Sequence, residues 1–195
     1  MRTWLFHPFS KLAGVVSLII GIAAIVTTAM IGWWWHGVAT DGVLELHFVA
    51  TNDFFSYLVL GGIAWLTLSL CLLVVGHGLT STQYRIVDLL GTQALARWPM
   101  LLATLVIGLP RYRRALQESI VAVQSASGHA SVDMAIVLGL SLMPLALTVW
   151  MVWLMYHSYK VVFNFKGPRG PWSFALTLAA AEIISKIAVS VLSSM

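Results

Sequence analysis

The sequence predicts an all-α fold, a polytopic helical bundle held in a membrane. Three observations predict it. The stretches Leu12–Thr40, Phe54–Tyr84 and Met134–Tyr159 contain no charged residue. Each is longer than the roughly 20 apolar residues that carry an α-helix across a hydrocarbon core of about 30 Å. Charged residues form 9% of the chain, whereas a soluble domain carries about 25%. Hydrophobic residues form 59% of 195, with 9 Trp and 8 Met, more apolar surface than a single interior of this size hides.

The elements follow in order, within one integral-membrane domain covering residues 1–195. Met1–Lys11 is a short tail. The first span is expected over 12–35. It ends in Trp33-Trp34-Trp35 rather than in a small-residue cleavage site, so it is a retained span and not a signal peptide. Ser17 and Gly21 place two small residues on one face, where another helix can come close. The three Trp residues suit the aromatic belt at the membrane–water boundary. His36–Asp53 is a connector with three acids, Asp41, Glu45 and Asp53, and no Lys or Arg. The second span is expected over 54–78, with Gly61-Gly62 as a contact or bend. Trp98–Pro110 is apolar but only 13 residues long, about 20 Å as a helix. It crosses only if a helix starting near Asp88 feeds into it, giving a third span over 88–110 and drawing Arg97 toward the membrane. The alternative is a re-entrant segment, with four spans in all. Gln124–His129 reads as a loop. The fourth span is expected over 134–157, kinked at Pro144. The sequence from Gly167 to Pro171 breaks it from a fifth span over 172–192, whose first turn suits Pro171.

The net charge of +4 does not point to nucleic acid, because the basic residues sit in short clusters between apolar stretches. Such clusters hold a topology or meet anionic headgroups. With the N-terminus inside, the inner segments of either span count hold seven Lys and Arg against three outside. The positive-inside rule therefore places the N-terminus in the cytoplasm but does not choose between four and five spans.

The stretch Asp88–Pro99 (DLLGTQALARWP), followed by an apolar run, resembles the start of the third span in bacterial members of the Yip (Ypt-interacting protein) family. Trp150–Lys160 (WMVWLMYHSYK), Asn164–Gly167 (NFKG) and Ala181–Lys186 (AEIISK) resemble that family's fourth span, connector and fifth span. The resemblance covers roughly residues 54–192. It implies five spans, a cytosolic N-terminus and a bacterial inner-membrane location. The Asp-Leu-Tyr-Gly-Pro motif of the eukaryotic members, which are tied to vesicle traffic and Rab-type GTPases, is missing. The implied role is membrane organisation or scaffolding, with membrane lipids and other membrane proteins, or further copies of this chain, as partners.

Candidate chemistry is sparse. Glu182 and Lys186 lie four apart in the last span, in the favourable Glu-before-Lys order. A charge within a span costs at least about 2.5 kcal/mol and usually faces the bundle interior with a partner. The pair is read as an internal structural lock or, alternatively, as a polar site in a small transporter or channel subunit. Ala175, Ala179, Ser185 and Val189 are expected on the same inward face. Arg111, Arg113 and Arg114 could meet lipid headgroups. The six histidines make no H-x-x-x-H pair, and Cys71 stands alone, so no metal site or other cofactor is expected. No nucleophile–base or phosphate-binding signature occurs, and the chain is not expected to be an enzyme.

Overall fold

In the computed structural model the described residues are 9, 12–35, 37–40, 42–48, 53–115, 118 and 134–193, with the backbone alone for 134–141. The tail expected over Met1–Lys11 (Phe9 excepted) and the loop expected at Gln124–His129 lie outside them. Lipid offers no hydrogen bonds, so an apolar segment in it must satisfy its own backbone as helix. Helices account for most of the described chain. They are α1 (Gly14–Trp34), α2 (Phe54–Leu79), α3 (Ile86–Leu95), α4 (Trp98–Gly108), α5 (Met134–Val162) and α6 (Arg169–Ser193). Counting α3 and α4 together, four helices are long and apolar enough to cross a membrane: 14–34, 54–79, 86–108 and 169–193. The fold is an all-α membrane bundle with one small β insertion.

The apolar side chains divide as a bundle in lipid requires. On α1, Val15, Val16, Ile19, Ile22, Val26 and Met30 point outward, while Ser17, Gly21, Ala29 and Gly32 point inward. The small inward residues let backbones touch. A Cβ on Gly21 would strike the backbone nitrogen of Leu95 and the Cβ of Ala94, and one on Gly91 would lie 2.5 Å from Ser17 Oγ. At the far end the Trp35 ring sits against Gly108. So α1 runs alongside α3 and α4 in the same direction over its whole length. The expected Ser17/Gly21 contact face is realised, and Gly61 also serves as a contact, with Ile25 and Thr40 above it, while Gly62 faces open space.

The third expected span is continuous in direction but broken in hydrogen bonding. Pro99 has no N–H, and its ring would clash with the carbonyl four residues earlier, on Leu95. α3 ends at Leu95, and α4 begins at Trp98 after the turn Ala96-Arg97. Arg97 is thereby drawn into the interior, as expected for a helix starting near Asp88, and is 5% exposed.

α5 runs opposite to α3 and α4. Gln93 meets Met155 and Ser158, and Trp98 packs edge-on against Trp150 at 4.6 Å. Trp150 and Trp35 therefore pack against other helices, while Trp33, Trp34 and Trp153 are exposed for the expected boundary role. α5 is continuous through Pro144. The turn after it uses positive φ at Asn164 and Gly167. α6 then runs opposite to α2, with its first half against Leu70–Leu79 and Val189 near Tyr57 and Leu60. Its buried stripe is Phe174, Thr177, Ala181 and Ser185. Ala175 and Ala179 are exposed, which corrects the expected inward face by about one residue. The bulky Phe174 anchors the stripe, and 3.6 residues per turn carry it to Ser185.

The core lies where α2, α3, α4 and α5 meet, around Leu68, Leu72, Leu89, Met100, Met155 and Tyr159. Phe163 closes it at one end by stacking over Gly76.

The connector between α1 and α2 is the element that periodicity did not foresee. Its strands β1 (Val38–Thr40) and β2 (Leu46–Phe48) pair antiparallel, with Val38 opposite Phe48 and Thr40 opposite Leu46. Val38, Ala39 and Val43 are buried. The hairpin folds back between the helices, and its tip at 42–45 reaches the level of Ala64, Arg97 and Glu182. It is a re-entrant β-hairpin, the kind of irregular backbone that membrane depth tolerates only inside protein.

Candidate functional site

The hairpin tip carries backbone groups that no strand partner satisfies, and two charged side chains take them. Near the middle of α6, Glu182 Oε2 accepts hydrogen bonds from Val43 N at 2.8 Å and Leu44 N at 3.1 Å. On the other side, Arg97 Nη1 donates to Val43 O at 3.3 Å and Nη2 to Ala64 O at 2.6 Å. Val43 is wholly buried and is held through both its N–H and its C=O. Glu182 is also the charge acting electrostatically on Arg97. Gly42 sits at φ +137°, where a Cβ would fall 2.6 Å from Glu182 Oε1. Only glycine gives the carboxylate this approach.

Lys186 belongs to the same assembly by a different partner. Its Nζ lies 2.8 Å from Glu45 Oε2 and 4.0 Å from Glu182 Oε1. The main ion pair thus joins α6 to the hairpin rather than one turn of α6 to the next. Both Lys186 and Glu45 are more than two-fifths exposed. His47 Nδ1 is 3.5 Å from Glu45. Glu182 is 18% exposed, and its Oε1 has no hydrogen-bond partner among the described residues.

One turn before Arg97, α3 carries a second buried polar group. Gln93 Nε2 donates to Met155 O at 3.0 Å and to Ser158 Oγ at 3.1 Å, and Ser158 Oγ lies 2.6 Å from Thr92 Oγ1. Thr92 Oγ1 also donates to Asp88 O. These bonds tie α3 to α5. They occupy no cavity. The cavity beside Arg97, between α1, the hairpin, α2 and α4, has a volume of about 20 Å³ and includes Thr28, Thr40 and Tyr57 in its wall. That is room for about one water.

The three expected headgroup arginines separate. Arg113 Nη1 donates to Trp35 O at 2.7 Å, and its guanidinium lies 5.8 Å from the Phe48 ring centre. It caps the carbonyl end of α1, where a cation is favoured, and pins β2. Arg111 and Arg114 are exposed. His77 bonds Tyr84 OH at 3.0 Å, and His157 lies 5.7 Å from the Trp153 ring. His7, His36 and His129 lie outside the described residues, and among those described no three metal-ligating side chains gather.

The sequence announced Glu182, Lys186 and the inward pull on Arg97, but not their common target. The available signal was Asp41-Gly42, a strong hairpin step, between Val38-Ala39-Thr40 and Leu46-His47-Phe48. Thr92, Gln93 and Ser158 gave no signal, because isolated hydroxyls and amides in apolar runs are ordinary. No protein family, curated protein or solved structure matches this chain.

Proposed function

We propose that the chain is a non-enzymatic, five-span protein of Yip type in a bacterial inner membrane, with its N-terminus in the cytoplasm. It organises the membrane through lateral contacts with lipids and other membrane proteins. One observation carries the scaffold reading. The charge at mid-bundle is spent on the protein itself, Glu182 on the hairpin tip and Arg97 on two carbonyls. A relay or transport site would keep such groups for a substrate. The alternating directions of α1, α2, α3 with α4, α5 and α6 support five crossings, with the C-terminus at the hairpin end.

A small transporter is the second reading, favoured by one feature, the helix break at Ala96-Arg97 beside the cavity. Broken helices at mid-membrane are where transporters bind ions. Two experiments separate the readings and fix the topology. A cysteine at Ser185, wholly buried at mid-bundle, stays unreactive to a water-soluble thiol reagent in a scaffold, and rapid labelling would favour a water-filled path. A C-terminal reporter fusion is active in the periplasm for five spans, and cytoplasmic fluorescence would overturn them.

A further inference from the structure

A large cleft lies away from the charged centre, between the second half of α2 and the first half of α6. Its volume is about 590 Å³, and its walls include Leu70, Cys71, Val74, Leu176, Thr177 and Ala180. Its hydroxyls are already used. Thr177 Oγ1 donates to Ser173 O, and Ser173 Oγ donates to Gly170 O. What remains is an apolar trough of the size of ligand sites, open on the lipid side and suited to an alkyl chain.

The two ends of this trough differ. Toward its open end at the α6 N-terminus, Arg169 stands four residues before Ser173 and so continues the same helical stripe. Trp172 beside it is 72% exposed, and Lys166 is exposed in the turn just before. The described charged residues at this end of the bundle are Arg85, Lys160, Lys166 and Arg169, against one acid, Asp88. Asp88 sits on the α1 side near Gly14. Asp53 lies at the other end, Glu45 sits at the hairpin tip against Lys186, and Glu182 is turned into the bundle. An apolar trough that opens under a cluster of cations is complementary to one molecule that joins alkyl chains to a negative headgroup. Basic pockets between spans recognise anionic lipids in this way.

We infer that the α2–α6 cleft is a binding site for an anionic phospholipid, with an acyl chain along Leu70, Val74 and Leu176 and the phosphate at Arg169 and Lys166. The site rests on the membrane-spanning reading and is independent of whether the protein scaffolds or transports.

The full chain in mild detergent tests it by native mass spectrometry with phosphatidylglycerol or phosphatidylcholine added. Cys71, the single cysteine, provides a second readout from within the cleft. The expected result is preferential retention of phosphatidylglycerol and slower labelling of Cys71 by a lipophilic maleimide when that lipid is present. Arg169→Gln is expected to weaken retention about fivefold, the effect of one cation near a headgroup. Leu176→Trp, at an exposed position that does not support the core, fills the trough and removes both retention and protection. Equal retention of the two lipids, or retention unchanged in Leu176→Trp, would overturn the site. So would a wild-type dimer that Leu176→Trp converts to monomer, since the trough would then hold a second copy. A reporter result against spanning would instead sink the membrane reading, so the two failures are told apart.

Discussion

Replacing Glu182 by Leu is the sharpest perturbation the structure offers. The substitution removes the acceptor of two backbone N–H groups, on Val43 and Leu44. Val43 is fully buried, so its N–H finds no water, at a cost of about 1–3 kcal/mol. The substitution also removes the carboxylate that acts electrostatically on Arg97, itself 5% exposed; breaking a buried contact pair costs about 3–5 kcal/mol, an upper bound here. Polar contacts measured within membrane bundles are weaker, averaging about 0.6 kcal/mol, which sets a floor near 1 kcal/mol for the two bonds. Arg97 keeps its two carbonyl partners, which places the expected loss near 3 kcal/mol. For a chain of this size that is a fall of roughly 6–12 °C in Tm. The assay is thermal unfolding of the purified protein in mild detergent, with Ile183→Leu on the lipid-facing side of the same turn as control. Glu182→Gln keeps one acceptor and is expected to lose less. If Glu182→Leu melts with the wild type, the hairpin is not anchored by this carboxylate and the account of the site fails.

The same measurement checks three further outcomes. Lys186→Gln is expected to cost less than Glu182→Leu, because it removes one side-chain ion pair with Glu45 and leaves the hairpin amides bonded to Glu182; a loss as large as that of Glu182→Leu would contradict this. Gly21→Ala and Gly62→Ala are the same chemical change with opposite expected signs. The first drives a methyl into the backbone of Leu95 and is expected to cost about 1–3 kcal/mol, while the second meets open space and gains helix propensity, up to about 1 kcal/mol. Gly42→Ala is expected to lose about 1–3 kcal/mol from its φ of +137°, and, unlike Gly21→Ala, to expose the hairpin to added protease in sealed vesicles.

Much of the fold is legible in the sequence, and the reason is solvent. In lipid each apolar stretch must be helical, so the charge-free runs, the Gly167–Pro171 break and the small face of Ser17 and Gly21 read directly as structure. Where solvent is not the deciding factor, reading fails. α6 is apolar on both faces, so periodicity placed Ala175 and Ala179 inward by mistake. The hairpin is short, and strands of three residues give no periodic signal.

By itself the sequence determined that this protein lives in a membrane as a helical bundle, that Arg97 goes inward if α3 feeds α4, and that α6 carries an acid that needs a partner. Only the tertiary structure decided which partner. Lys186, four residues away, was the local candidate, yet Glu182 took the backbone of Val43 and Leu44, some 140 residues earlier in the chain. Helical spacing fixes which side chains can meet within one helix. The unpaired amides of a re-entrant hairpin become the stronger demand only once the surrounding helices have enclosed it away from water.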